Sequence, residues 1–211
     1  MKRQILCGAG VILFVILLIA SRAEAYPVTI YIEAEVDSVG DSGNYLEGKI
    51  NVGDIITGYY TYESTTADTS PADPVVGHYR HYSAPAGVSL SAGGFIFQTD
   101  PVNVDFLVGI GNDGPSGDDG YWFISYSNSA LTNNTLVELI SWQLIDDSGT
   151  ALSNDFLPIT APVISDWQDN QLSINGEKGT FGIGAHVTSA VPEPATIVLL
   201  GIGAFFIKKR G

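Results

Sequence analysis

From Tyr26 onward, apolar and polar residues alternate with a period of two. Val28, Ile30, Ile32, Ala34 and Val36 interleave with Thr29, Tyr31, Glu33, Glu35 and Asp37, the pattern of a strand with one buried face. The alternation returns in Val102, Val104, Phe106, Val108 and Ile110, and again in Phe181, Ile183, Ala185 and Val187. Further strands are predicted at 55–62, 78–83, 88–97, 121–127, 136–146 and 171–175. Segments rich in Gly, Asn, Asp and Ser separate them, at 40–44, 51–54, 112–120, 146–150 and 175–179, where turns form most readily. No stretch between them has an amphipathic helical period. About nine short strands without alternating helices predict an all-β domain. The expected form is an antiparallel two-sheet β-sandwich of jelly-roll type. Segments 64–76, with Pro71 and Pro74, and 153–169, with Pro158 and Pro162, are long connections, which either carry function or close an edge of the sandwich.

The two ends break this pattern. Lys2 and Arg3 precede an apolar run from 5 to 20, and Ala23, Glu24 and Ala25 follow it. This is the layout of a secretory signal peptide, with cleavage expected after Ala25 to leave Tyr26 first. Cys7, the one cysteine of the 211 residues, would leave with that peptide. The mature domain then has no thiol for disulfides, for zinc or for catalysis. At the other end, Pro192, Glu193 and Pro194 lead into the apolar run 195–207 and then Lys208, Lys209 and Arg210. Thirteen apolar residues as a helix reach only about 20 Å, against roughly 30 Å of bilayer hydrocarbon. The prolines stop that helix from running upstream and hold the backbone extended. The basic cluster keeps the extreme C-terminus on the cytoplasmic side, so both ends place the domain between them outside. The expected organisation is a signal peptide at 1–25, a β-sandwich domain at 26–190 and a sorting or anchor tail at 191–211.

The tail resembles the PEP-CTERM sorting signal of Gram-negative bacteria that make exopolysaccharide, on Pro192, Glu193, Pro194, the run 195–207 and the basic residues Lys208, Lys209 and Arg210 in order. The resemblance implies recognition by a membrane exosortase, cleavage near the Pro-Glu-Pro handle, and delivery to the outer surface or the polysaccharide matrix. The partners it implies are the exosortase, signal peptidase with the secretion machinery, transient membrane contact and the exopolysaccharide. It covers about a tenth of the chain and assigns no activity to the rest.

Charge narrows the remaining partners. The formal net charge is −14, and the terminal segments hold most of the cations. Between Tyr26 and Val191 only Lys49, Arg80 and Lys178 oppose 21 acidic residues. A domain this acidic repels nucleic acid and anionic lipid but attracts cations.

Four groups of residues are candidates for chemistry. Asp113, Asp118 and Asp119 concentrate carboxylates on a Gly-rich segment, which suits a hard cation such as Ca²⁺, although the spacing is not that of an EF-hand and an acidic turn has the same composition. Glu33, Glu35 and Asp37 share one strand face, as carboxylates of some β-sandwich glycosidases do, and equally as a solvated face does. His78 and His81 are three apart, so on a strand they point to opposite faces and cannot share a metal ion. Tyr59, Tyr60, Tyr62, Tyr79, Tyr82, Tyr121, Trp122 and Tyr126 could stack on sugars or fill the core. No nucleophile elbow and no nucleotide-binding glycine pattern is present. The expectation is a non-enzymatic surface or matrix protein without a required cofactor. A lectin-like module, Ca²⁺-assisted or not, and an extracellular glycosidase stand as the alternatives.

Overall fold

The computed structural model describes residues 26–193. Ten strands form: β1 (Pro27–Gly40), β2 (Ile55–Glu63), β3 (Val76–His81), β4 (Gly87–Ala92), β5 (Phe95–Gln98), β6 (Phe106–Gly111), β7 (Asp119–Ser125), β8 (Val137–Asp146), β9 (Asp169–Gly176) and β10 (Gly182–Pro192). The only helical turns among the described residues are short 3₁₀ pieces at Ile164–Asp166 and Glu177–Gly179.

In place of the two sheets expected of a jelly-roll sandwich, all ten strands make one antiparallel sheet, ordered β3-β6-β7-β8-β9-β10-β1-β2-β4-β5. The ladders β9–β10 and β10–β1 are continuous across the line where two sheets would have parted. Strands β2 and β7 stand five ladder steps apart in that order, a separation of about 24 Å in a flat sheet. Yet the hydroxyls of Tyr60 on β2 and Tyr121 on β7 lie 2.8 Å apart. The sheet therefore curls over itself into a half-barrel, and its inner face becomes the core. Tyr60 also meets the rings of Phe123 at 4.9 Å and Trp142 at 5.9 Å between centroids. The segment after β5 meets the end of β7 and the segment that follows it, through a 2.7 Å contact between the Thr99 and Ser125 hydroxyls and a bridge between Thr99 and Asn128.

The alternation fixes which side chains enter this core. Val28, Ile30, Ile32, Ala34 and Val36 are all buried, whereas Tyr31, Glu33, Glu35 and Asp37 are exposed. Two predicted strands have different limits. Segment 88–97 is a hairpin, β4 and β5, turned at Gly93 and Gly94 with φ of 57° and 80°; such a turn requires positive φ at both central residues. The strand expected from Val102 starts only at Phe106, because the Asp100 carboxylate accepts the Val102 amide at 2.9 Å and the Asn103 side-chain amide at 2.9 Å. That local turn leaves Val102 outside, 86% exposed. The long connection 153–168 closes one opening of the half-barrel: the Tyr62 hydroxyl donates to the Pro158 carbonyl at 2.7 Å and the Tyr79 hydroxyl to that of Asp155 at 2.8 Å.

Candidate functional site at the exit of the chain

β1 and β10 are antiparallel neighbours, so the start of one and the end of the other share an edge of the sheet. Tyr31 pairs with Val191 and Ile30 with Pro192, and the Glu193 amide donates to the Thr29 carbonyl at 3.0 Å. Tyr26, the expected first residue after signal cleavage, is anchored by the Ser64 amide, which donates a hydrogen bond to its carbonyl at 3.1 Å. Two of the three handle residues, Pro192 and Glu193, are thus built into the sheet. β10 continues through Pro192, past residue 190 where the domain was expected to end. Ala23, Ala25, Pro194, Lys208, Lys209 and Arg210 lie outside the described residues, as do both apolar runs. Among the described residues no helix is long and apolar enough to cross a membrane.

β10 has two unlike halves. Its ladder with β9 covers only Gly182 to Ala185, whereas its ladder with β1 runs on to Pro192. Where β9 falls away, the Asn170 side chain takes over. It donates to the Val187 carbonyl at 2.7 Å and accepts the Val187 amide at 3.2 Å. The same oxygen accepts the Trp142 indole N–H at 2.9 Å, which ties the clasp to the core. Immediately beyond, Thr188 is an extra residue in the ladder, because Ala34 faces Val187 while Glu33 faces Ser189. This β-bulge turns the inward face from odd to even positions, so that Ala190 packs against the core. The second bulge of this ladder lies between Val36 and Ser38 of β1. No side chain from 188 to 193 is fully buried.

The other candidates lie elsewhere on the sheet, except Glu33, which is the ladder partner of Ser189. Asp119 is fully buried, and its two carboxylate oxygens accept the amides of Asp113 at 3.0 Å and Leu152 at 2.7 Å. Its register partner Asp146 is equally buried. The Ser148 hydroxyl at 2.6 Å and the amides of Thr150, Ser148 and Ala151 hold the Asp146 carboxyl well below the usual carboxylate range. These two carboxylates fasten loops 112–118 and 147–152 to the sheet. Among the described residues no three His, Cys, Asp or Glu side chains converge as a metal-holding group.

Glu33, Glu35 and Asp37 stand on the outer face, and Asp37 pairs with His186 Nδ1 at 2.8 Å. Beside them lies a polar depression of about 390 Å³, lined by Asp37, Gln143, Asp169 and Gln171. His78 faces outward against Trp122, at 6.0 Å between ring centroids. His81 faces inward and is buried, and its Nε2 accepts the Glu63 amide at 3.2 Å.

The aromatic residues divide between the two faces. Tyr60, Tyr62, Tyr79 and Tyr121 are core, whereas Tyr59, Tyr82 and Tyr126 are exposed. Burial pushes the phenols of Tyr60, Tyr62 and Tyr121 far above their ordinary range. On the outer face the Arg80 guanidinium donates to both Asp105 oxygens at 2.7 Å, between the rings of Tyr82 and Tyr126. Neither Asn170 nor the Arg80–Asp105 pair belongs to a sequence motif. The scarcity of arginine in the domain was a usable signal for the pair; nothing in the sequence points to Asn170.

Residues 190–210 match the PEP-CTERM protein-sorting motif. That signal marks an exported protein that an exosortase sorts, through a membrane-anchored intermediate. No curated protein and no solved structure matches the chain.

Proposed function

We propose that residues 26–190 form a non-enzymatic module that exosortase processing delivers to the outer surface or exopolysaccharide matrix of a Gram-negative bacterium. The observation that carries this reading is the continuity of the matched motif with β10, beside the start of β1. A precursor held at both ends by one membrane needs its two exits on one side, and this arrangement supplies that. Mass spectrometry of the exported protein tests the reading. A C-terminus trimmed near Pro192–Pro194 and an N-terminus at Tyr26 are expected. A matrix form still ending at Gly211 would overturn it.

A second reading, binding of polysaccharide by the same module, draws on the exposed rings. Tyr31 and Tyr59 pack at 5.7 Å between centroids on the outer face, both about 40% exposed, and Tyr82 is 68% exposed. Aromatic faces stack on sugar rings. Titration with the matrix polysaccharide, followed by tyrosine fluorescence, distinguishes the readings: saturable change favours binding, and an unchanged spectrum favours the passive module.

A further inference from the structure

The sorting motif begins at residue 190, yet residues 190–192 are strand and Glu193 is still hydrogen-bonded to β1. The apolar run starts at Ala195, so in the sequence a single residue, Pro194, separates it from the hydrogen-bonded Glu193. A membrane protease that grips this motif must reach residues that the sheet already holds.

We propose that residues 189–193 are a detachable strand end, which peels from β1 as a hinged flap when the sorting protease takes the motif. The inference rests on the exosortase reading above. Its hinge is Thr188. Up to Val187, β10 has partners on both sides: β9 and then the Asn170 amide on one, and β1 on the other. Its inward side chains there, Ile183, Ala185 and Val187, are at most 2% exposed. Past the bulge, β1 is the only strand paired with the chain, and only Ala190 packs against the core. Peeling therefore gives up a few backbone hydrogen bonds and little apolar surface, and it stops where the Asn170 clasp begins.

The handle's composition suits such a segment. Hydrogen-bonded and non-hydrogen-bonded pairs alternate in an antiparallel ladder. The bond from Glu193 to Thr29 places Pro192, opposite Ile30, at a non-hydrogen-bonded position. Its missing N–H faces the open side and costs the ladder nothing. Five residues released in extended form span about 17 Å. That length supplies the stand-off between domain and bilayer which the sequence otherwise lacks.

Two measurements test the flap. Tyr31 and Val191 form a hydrogen-bonded pair, whose Cα separation of about 5.5 Å accepts a disulfide. The full chain carrying Tyr31→Cys and Val191→Cys is expressed in a host that trims the wild type, with each single variant as control. The oxidised double variant is expected to lose trimming, and reduction is expected to restore it. Equal trimming of the oxidised, wild-type and single-variant chains would overturn the flap and leave the exosortase reading standing. A wild-type chain that keeps Gly211 would instead overturn that reading. Hydrogen exchange on the detergent-solubilised precursor decides independently, even where the double variant fails to fold or to cross-link. The amides of Val191 and Glu193, which point to β1, are expected to exchange on the order of 100-fold faster than the bonded amides at 183–187. Exchange of both groups together would overturn the proposal.

Discussion

The hydroxyls of Tyr60 and Tyr121 meet at 2.8 Å inside the core, from strands five ladder steps apart. Both side chains are almost wholly buried, so each hydroxyl depends on the other for the hydrogen bond it lost with water. Removing one leaves a buried polar group unpaired; removing both does not. Tyr121→Phe is expected to cost about 1–3 kcal/mol. The Tyr60→Phe/Tyr121→Phe double variant is expected to cost less than the sum of the two single changes. Urea unfolding of the four chains closes the cycle.

Two glycines separate backbone crowding from side-chain crowding. A Cβ at Gly58 would lie 2.1 Å from the Ser89 carbonyl oxygen of β4, which cannot retreat without breaking the β2–β4 ladder. At Gly109 the obstacle is the Trp122 indole, with atoms from 2.0 Å, and that ring lies on the outer face. Gly58→Ala is therefore expected to prevent folding or to destabilise beyond the usual 1–3 kcal/mol of overpacking. Gly109→Ala is expected to fold, lose about 1–3 kcal/mol and push Trp122 toward water, read as a red shift in tryptophan fluorescence.

Acid acts through His81 first. Burial lowers its imidazole pKa in the folded chain, while the unfolded value stays near 6.5. Below about 6.5 the unfolded chain binds more protons than the folded one, so stability falls as the pH drops toward the lowered folded value. His81→Gln removes this dependence. Urea midpoints at about pH 7.5 and about pH 5.5 should differ more for the wild type than for the variant. The lowered carboxyl of Asp146 acts in a separate window, where stability is lost only as pH falls below about 4.

The outer-face pair Arg80–Asp105 is a weaker contributor. Its side chains are 37% and 29% exposed, so solvent screens the charges and the pair is worth at most about 1 kcal/mol. Asp105→Asn is expected to lower stability by about that amount or less, with the difference from wild type shrinking as salt is raised.

The strands were legible because one-sided burial prints itself on the sequence every second residue. That is why Val28 to Val36 on β1 and Phe181 to Val187 around β10 could be read directly. The same rule hid the bulges: Asp37 and Thr188 each interrupt the alternation by one residue, and neither carries a side chain that marks such a break. The Gly93–Gly94 turn is masked in the sequence because apolar residues flank it closely on both sides. Sheet order lay beyond reach, since pairing of β3 with β6, or of β1 with β10, depends on contacts distant along the chain. The handle was readable for the opposite reason, being a local string whose elements need no partner. That its first residues also serve as strand emerged only once Thr29 to Tyr31 were seen beside them.

With Pro27 and Glu193 only about two residues out of level across the β1–β10 ladder, the first and last strands of the described residues form a hairpin that lacks only its turn. A short Gly-rich link between them would close the backbone into a ring without moving a strand. New termini opened within the covering connection 153–168 would then give a circularly permuted sheet with the same ladders. In geometric terms the molecule has no privileged first strand.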